Sequence, residues 1–129
     1  MELYSFEKLN AFQEARKLVV MVYRVIETLP NNERYALGTQ LQRAIISVTS
    51  NIAEGTGRMS YKEKIHFLEI SFGSLMESYC QLQTCMDLGY ITVAKFHAIK
   101  PQFFVVSRLL HALRQSYIDI LNKQTTNKP

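Results

Sequence analysis

Four groups of residues in this sequence have types and spacings that chemistry could use. Glu63-Lys64-Ile65-His66 is an E-x-x-H. Two such motifs on two helices of a bundle, with a glutamate from each of the others, bind a pair of metal ions. Here the motif occurs once, so no metal and no cofactor are expected. Cys80 and Cys85 offer thiols, and His97 and His111 offer imidazoles. A nucleophilic mechanism needs a thiol beside its base, and nothing in the spacing brings one there. Buried cysteine commonly serves as a small hydrophobe. The chain therefore reads as a binding module and not an enzyme, with no catalytic residue. Gly55-Thr56-Gly57-Arg58 could offer backbone amides to a phosphate near a helix start, but it lacks the strand and lysine of a nucleotide loop. The fourth group is cationic: Arg34 and Arg43, then Arg58, Lys62 and Lys64, with Tyr35 and Tyr61 beside them. Such cations suit phosphates and such rings suit bases; equally they read as solvated faces with snorkelling stems.

These groups sit on four stretches of helical periodicity. In the first, about residues 6–28, Phe12, Ala15, Val19, Val22, Ile26 and Leu29 recur three and four apart, and Leu18 and Val25 begin a second stripe. Pro30-Asn31-Asn32 ends it, and either asparagine can cap the next helix. The second stretch, about 33–54, sets Leu37, Leu41, Ala44, Ile45, Val48 and Ile52 on one face. Its interior Ser47, Thr49, Ser50 and Asn51 are poor helix formers; they read as small side chains that let another helix approach, or else as a polar groove or subunit contact. The third, about 61–88, has the cleanest seam: Ile65, Leu68, Phe72, Leu75, Tyr79, Leu82 and Met86. Gly73-Ser74 interrupts it at a cost of about 1 kcal/mol relative to alanine, which predicts a close crossing there. Gly89 predicts a left-handed stop.

The fourth stretch follows Thr92, a predicted N-cap, and runs to about residue 122. Phe96, Ile99, Phe103, Val106, Leu110, Leu113, Tyr117 and Ile120 keep phase across Pro101. One helix kinked near Pro101 is therefore expected. Residues 123–129 read as a frayed polar tail. Four long helices with short connections predict an all-α chain, an antiparallel up-down-up-down four-helix bundle over residues 1–122.

The most distinctive stretch joins the second and third helices. Gly55 and Gly57 supply backbone that ends a helix. Arg58 lies four residues after Glu54, within reach of it if the turn persists. Ser60-Tyr61-Lys62-Glu63 is an S-x-x-E capping box. Arg43, on a helix rich in core positions, reads either as one half of an ion pair or as facing a central opening and binding phosphate.

Glu33-Arg34-Tyr35, Leu37, Gln40-Leu41-Gln42-Arg43-Ala44, Ser47, Ser50-Asn51-Ile52-Ala53-Glu54-Gly55, Gly57-Arg58 and Gly73-Ser74-Leu75-Met76-Glu77 resemble the four-helix-bundle family of 23S ribosomal RNA intervening-sequence proteins. The likeness runs in order from about Leu9 to Leu121. Its most specific part is S-N-I-A-E-G-x-G-R, which makes Ser50, Asn51, Glu54, Gly55 and Gly57 the signature positions. The chain departs from that pattern at Val48-Thr49, where the family often has a proline, and at Phe12, where it often has tryptophan. The resemblance implies a homopentamer with a central channel. It also implies nucleic-acid binding through basic surfaces, as in relatives that are accessory variability determinants of diversity-generating retroelements. RNA is then expected in preference to DNA, with Arg34, Arg43, Arg58, Lys62 and Lys64 as contacts. The other reading is an oligomeric scaffold that docks a partner protein such as a reverse transcriptase.

Composition agrees with this class. At 129 residues the chain can bury a core without disulfides or metal. Lysine and arginine number 15 against 11 acidic residues, a net charge of +4. This mild balance reads equally as a soluble surface with slightly more lysine than glutamate or as a face for polyanions such as nucleic acid. The two cysteines lie five apart on one predicted helix and point apart, so a reducing, bacterial-type cytoplasm is expected. The N-terminus lacks the pattern of a signal peptide, and no apolar run predicts a membrane span.

Overall fold

The computed structural model describes residues 4–126. A 3-10 turn, Ser5–Lys8, precedes α1 (Asn10–Glu27), α2 (Asn31–Arg34), α3 (Leu37–Thr56), α4 (Tyr61–Asp87) and α5 (Val93–Thr126). Among the described residues there is no strand, and four of the five helices are long. α1 packs on α3 and α5, and α4 packs on the same two. The four long helices thus close a ring around one core, a helical bundle. No helix among the described residues is long and apolar enough to cross a membrane.

Two of the four expected helices are broken near their starts. Leu9 is extended (φ −74°, ψ 130°) between the 3-10 turn and α1. The turn is held to the helix instead: Gln13 Nε2 donates to Glu7 O at 3.1 Å, and the Phe6 ring meets Phe12 edge-on at 4.8 Å. The second helix is split by Ala36 (φ −113°, ψ −88°) into α2 and α3. Neither asparagine caps α2; Pro30 occupies the N-cap position, and its carbonyl accepts from Glu33 N and Arg34 N. Gly38 follows the break because space there is short. A Cβ on it would lie 3.3 Å from Glu33 O and 3.5 Å from side-chain atoms of both Ile26 and Leu29.

The other ends follow the sequence. Ser60 Oγ accepts from Glu63 N at 3.1 Å at the start of α4, and Thr92 Oγ1 accepts from Lys95 N at 3.0 Å at the start of α5. Gly89 has φ +77°, and Tyr90 N donates back to Cys85 O across it at 2.9 Å. Pro101 lies within α5, which continues on both sides of it. Gln102 Nε2 next to it donates to Glu14 O at 2.9 Å, tying α5 to α1. α5 runs through Thr126, past the expected end near residue 122. The rest of the expected polar tail, residues 127–129, lies outside the described residues.

The seams are rotated from their expected centres. On α1 the fully buried line is Ala11, Ala15, Leu18, Val22 and Val25, while Phe12, Val19 and Ile26 flank it. On α4 it is Leu68, Ser71, Leu75, Ser78, Leu82 and Cys85, with Phe72, Tyr79 and Met86 at its side. Two serines thus stand at the deepest points of α4. Each is satisfied by a carbonyl: Ser71 Oγ donates to Val48 O and Ser78 Oγ to Leu75 O, both at 2.8 Å. Small residues there let α3 come close.

The closest approach is at Gly55. α3 does not end at this glycine; it runs on to Thr56, and Gly57, the C-cap, stays right-handed (φ −78°). A Cβ on Gly55 would lie 2.8 Å from Phe67 Cβ and 3.3 Å from Lys64 O. By contrast, the close crossing expected at Gly73 is not found among the described residues, where a Cβ on it would meet nothing within 4 Å. Overfilling a packed contact costs about 1–3 kcal/mol. Gly55→Ala is therefore expected to destabilise the chain by about that amount. Gly57→Ala, whose Cβ would meet only carbonyls at 3.6 and 3.8 Å, is expected to be near neutral. Chemical denaturation of both variants checks the contrast.

Candidate functional site

The five cations singled out in the sequence do not form one cluster. Arg34 precedes α3, whereas Arg58, Lys62 and Lys64 follow it; α3 has 20 residues, about 30 Å at 1.5 Å per residue. Three of the five are tied to their own chain. Arg34 Nη2 donates to Glu27 O at 2.7 Å, the last carbonyl of α1. Lys64 Nζ donates to Thr56 O at 2.7 Å, the last carbonyl of α3. Both satisfy orphan carbonyls at the negative end of a helix dipole. Lys64 also lies 5.7 Å from the Tyr61 ring centre and 5.9 Å from that of Tyr117, and the two rings meet edge-on at 5.5 Å. Burial pushes the Tyr117 phenol above its ordinary pKa.

Arg58 is held from two sides. Its guanidinium pairs with Glu54, as the spacing of four predicts, and lies 4.7 Å from the Phe67 ring centre. Phe67 is thus clasped between Gly55 and Arg58. Arg43 and Lys62 are exposed, and among the described residues neither makes a side-chain hydrogen bond or an ion pair.

The signature residues divide by the face they show. Gly55 and Ile52 point into the bundle. Asn51 turns sideways, donating to Ser47 O at 2.8 Å and to Ser47 Oγ at 2.9 Å. Ser47 Oγ in turn accepts from Ser74 Oγ of α4 at 2.8 Å. Ser50, Glu54 and Gly57 face outward, and with Ala53 and Arg58 they line an open hollow. The Glu54 carboxylate beside Arg58 makes this hollow a poor phosphate cradle, because it already neutralises the cation there.

Sequence reasoning did not single out a second hollow, between α4 and α5. Leu68, Phe72 and Leu110 form its floor, and Glu69, His111 and Arg114 its rim. Arg114 faces Glu69 at 3.7 Å, and the His111 ring lies 4.6 Å from that of Phe72. The only advance signal was the i, i+3 spacing of His111 and Arg114.

The E-x-x-H has no partners: among the described residues no group of three or more histidine, cysteine, aspartate or glutamate side chains could hold a metal ion. Cys80 is exposed and Cys85 is buried, and both are free thiols. Burial, with the Glu33 carboxylate adding to it, raises Cys85 from 9.0 to about 11.

A family model described as 23S rRNA-intervening sequence protein matches residues 7–112. The chain belongs to this family. A solved structure of similar fold comes from Bacteroides thetaiotaomicron and is described as a protein of unknown function from the S23 ribosomal protein family. It is 19% identical, with a TM-score of 0.74, and the match covers 81% of this chain and 97% of that one. At that identity it supports the fold alone. A comparison with curated proteins finds no match.

The thiol chemistry follows from the two environments. Reactivity needs the thiolate, and burial withholds it from Cys85. Near pH 8 a disulfide-exchange reagent is expected to titrate Cys80 in the folded protein and to reach Cys85 only in denaturant. The folded pKa of Cys85 lies above the unfolded one, so its contribution to stability is full below pH 9 and declines as pH rises towards 11. Urea melts of Cys85→Ala, set against the parent from pH 8 to 11, are expected to lose that slope.

Proposed function

We propose that this chain is a non-enzymatic nucleic-acid-binding module that assembles as a homopentamer in the cytoplasm and prefers RNA to DNA. The observation that carries this reading is a surplus of basic side chains, 15 against 11 acidic, on a bundle whose family is described by ribosomal RNA. Cytoplasmic residence accords with the two free thiols.

The assembled unit in this reading is an antiparallel up-down-up-down bundle, bent near Pro101. Opposed pairings support it. Ser47 meets Ser74, Val48 meets Ser71 and Thr56 meets Lys64, pairings that accord with α4 running opposite to α3. Tyr79 meets Phe96 at 5.5 Å and Tyr61 meets Tyr117, the same relation between α4 and α5.

Assembly accords with the smooth outward spot at Gly73, flanked on α4 by exposed Ile70 and Met76, with Ile46 exposed on α3. Glycine there gives a neighbouring subunit room to approach. Light scattering is expected to return about five times the 14.9 kDa chain mass, and Gly73→Arg to lower it without unfolding the monomer. A monomeric parent protein would overturn the assembly.

Binding is tested by fluorescence anisotropy of a labelled RNA hairpin and of a labelled DNA duplex across a salt series. The expected outcome is binding at low salt that weakens linearly in log–log form as salt rises, with RNA bound more tightly. No binding to either probe at low salt would overturn the reading.

A further inference from the structure

Charge is unevenly distributed around the ring of helices. The neighbouring pair α1 and α5 carries eight basic residues against three acidic, while α3 and α4 carry three basic against five acidic. One side of the bundle is therefore net +5 and the opposite side net −2. The cations singled out in the sequence lie on or beside α2, α3 and α4, away from the positive side.

The positive side has a shape. Lys17 and Arg108 line one groove between α1 and α5, with the amides of Asn10 and Gln13 alongside and Glu14 paired to Lys17 at 2.7 Å. Arg24 follows Lys17 by two helical turns on the same face of α1. On α5, Lys100, Phe104 and Arg108 are spaced four apart and form one stripe. Phe104 is 54% exposed, and Lys100 Nζ lies 5.8 Å from its ring centre. A bare aromatic ring between two cations has the composition of a platform that stacks an unpaired base while neighbouring charges hold the backbone.

We propose, resting on the nucleic-acid reading above, that a single-stranded stretch of nucleic acid runs along the α1–α5 side. Arg24, Lys100 and Arg108 contact its phosphates, and Phe104 stacks on a base; Lys17 is already paired with Glu14. The acidic α3–α4 side faces away from it.

Three variants test the placement by anisotropy against a labelled single-stranded RNA and a labelled RNA duplex across a salt series. Arg24→Gln/Arg108→Gln and Arg43→Gln/Lys62→Gln each remove two exposed charges, and thermal melts confirm that each protein is folded. The first pair is expected to flatten the single-strand salt slope by about 1.4, at 0.7 per phosphate; the second is expected to leave it unchanged. Phe104→Ala is expected to weaken single-strand binding about tenfold, leaving the slope and the duplex affinity as they were. Equal slopes for the two paired variants, or a loss confined to Arg43→Gln/Lys62→Gln, overturn the placement while leaving nucleic-acid binding intact. A parent protein that binds neither RNA overturns both.

Discussion

The bundle depends on how closely α4 can lie against α3. Gly55 removes the one side-chain carbon that would collide with Phe67, since its Cβ would sit only 2.8 Å from that of the ring-bearing residue. Once the helices meet there, Ser71 reaches the carbonyl of Val48, Ser74 reaches Ser47, and Lys64 reaches the last carbonyl of α3. Each of these bonds satisfies a group that close packing would otherwise strand, and a stranded buried polar group costs about 1–3 kcal/mol. Proximity and polar satisfaction therefore depend on each other along this interface, which is the most extensive in the molecule.

The same economy governs the cations. A helix C-terminus presents bare carbonyls and a partial negative charge, so a nearby lysine or arginine finds a partner within its own chain before it meets any other. Arg34 closes α1 in this way and Lys64 closes α3, while Arg58 is absorbed by Glu54 and the face of Phe67. A basic residue beside a helix end is thus weak grounds for a phosphate contact. Among the described residues, exposed cations without such a partner remain on α3 and α4, as Arg43 and Lys62, and on α1 and α5, as Arg24 and Arg108. Arg108 lies on the groove between α5 and α1.

Seen this way, the signature stretch has two duties on one helix. Ile52 and Gly55 set the α3–α4 distance, and Asn51 braces Ser47, which receives the serine of α4. Ser50, Glu54 and Gly57 look outward around an open hollow. Packing inside the chain explains the first set of residues. The outward set has no such duty beyond the Glu54–Arg58 pair, and this is the face on which the proposed assembly would draw.

By itself the sequence determined the helices, most of their ends and the apolar residues of the core. These rest on local physics: a period of three and four residues, a serine or threonine whose oxygen meets an amide three residues on, and a glycine free to take positive φ at position 89. Only the tertiary structure decided which way each seam faces. Side chains three and four apart flank a line that either neighbour can share, and the small Ser71 stands at its centre where α3 lies close, bonded to Val48 O. Tertiary contact also decided that Gly55 serves closeness where a helix stop was expected, and that Gly73 meets no other helix among the described residues. It decided, finally, which cations are spent internally. A residue's charge is fixed by its type, but its freedom depends on which carbonyl, carboxylate or ring the fold brings beside it.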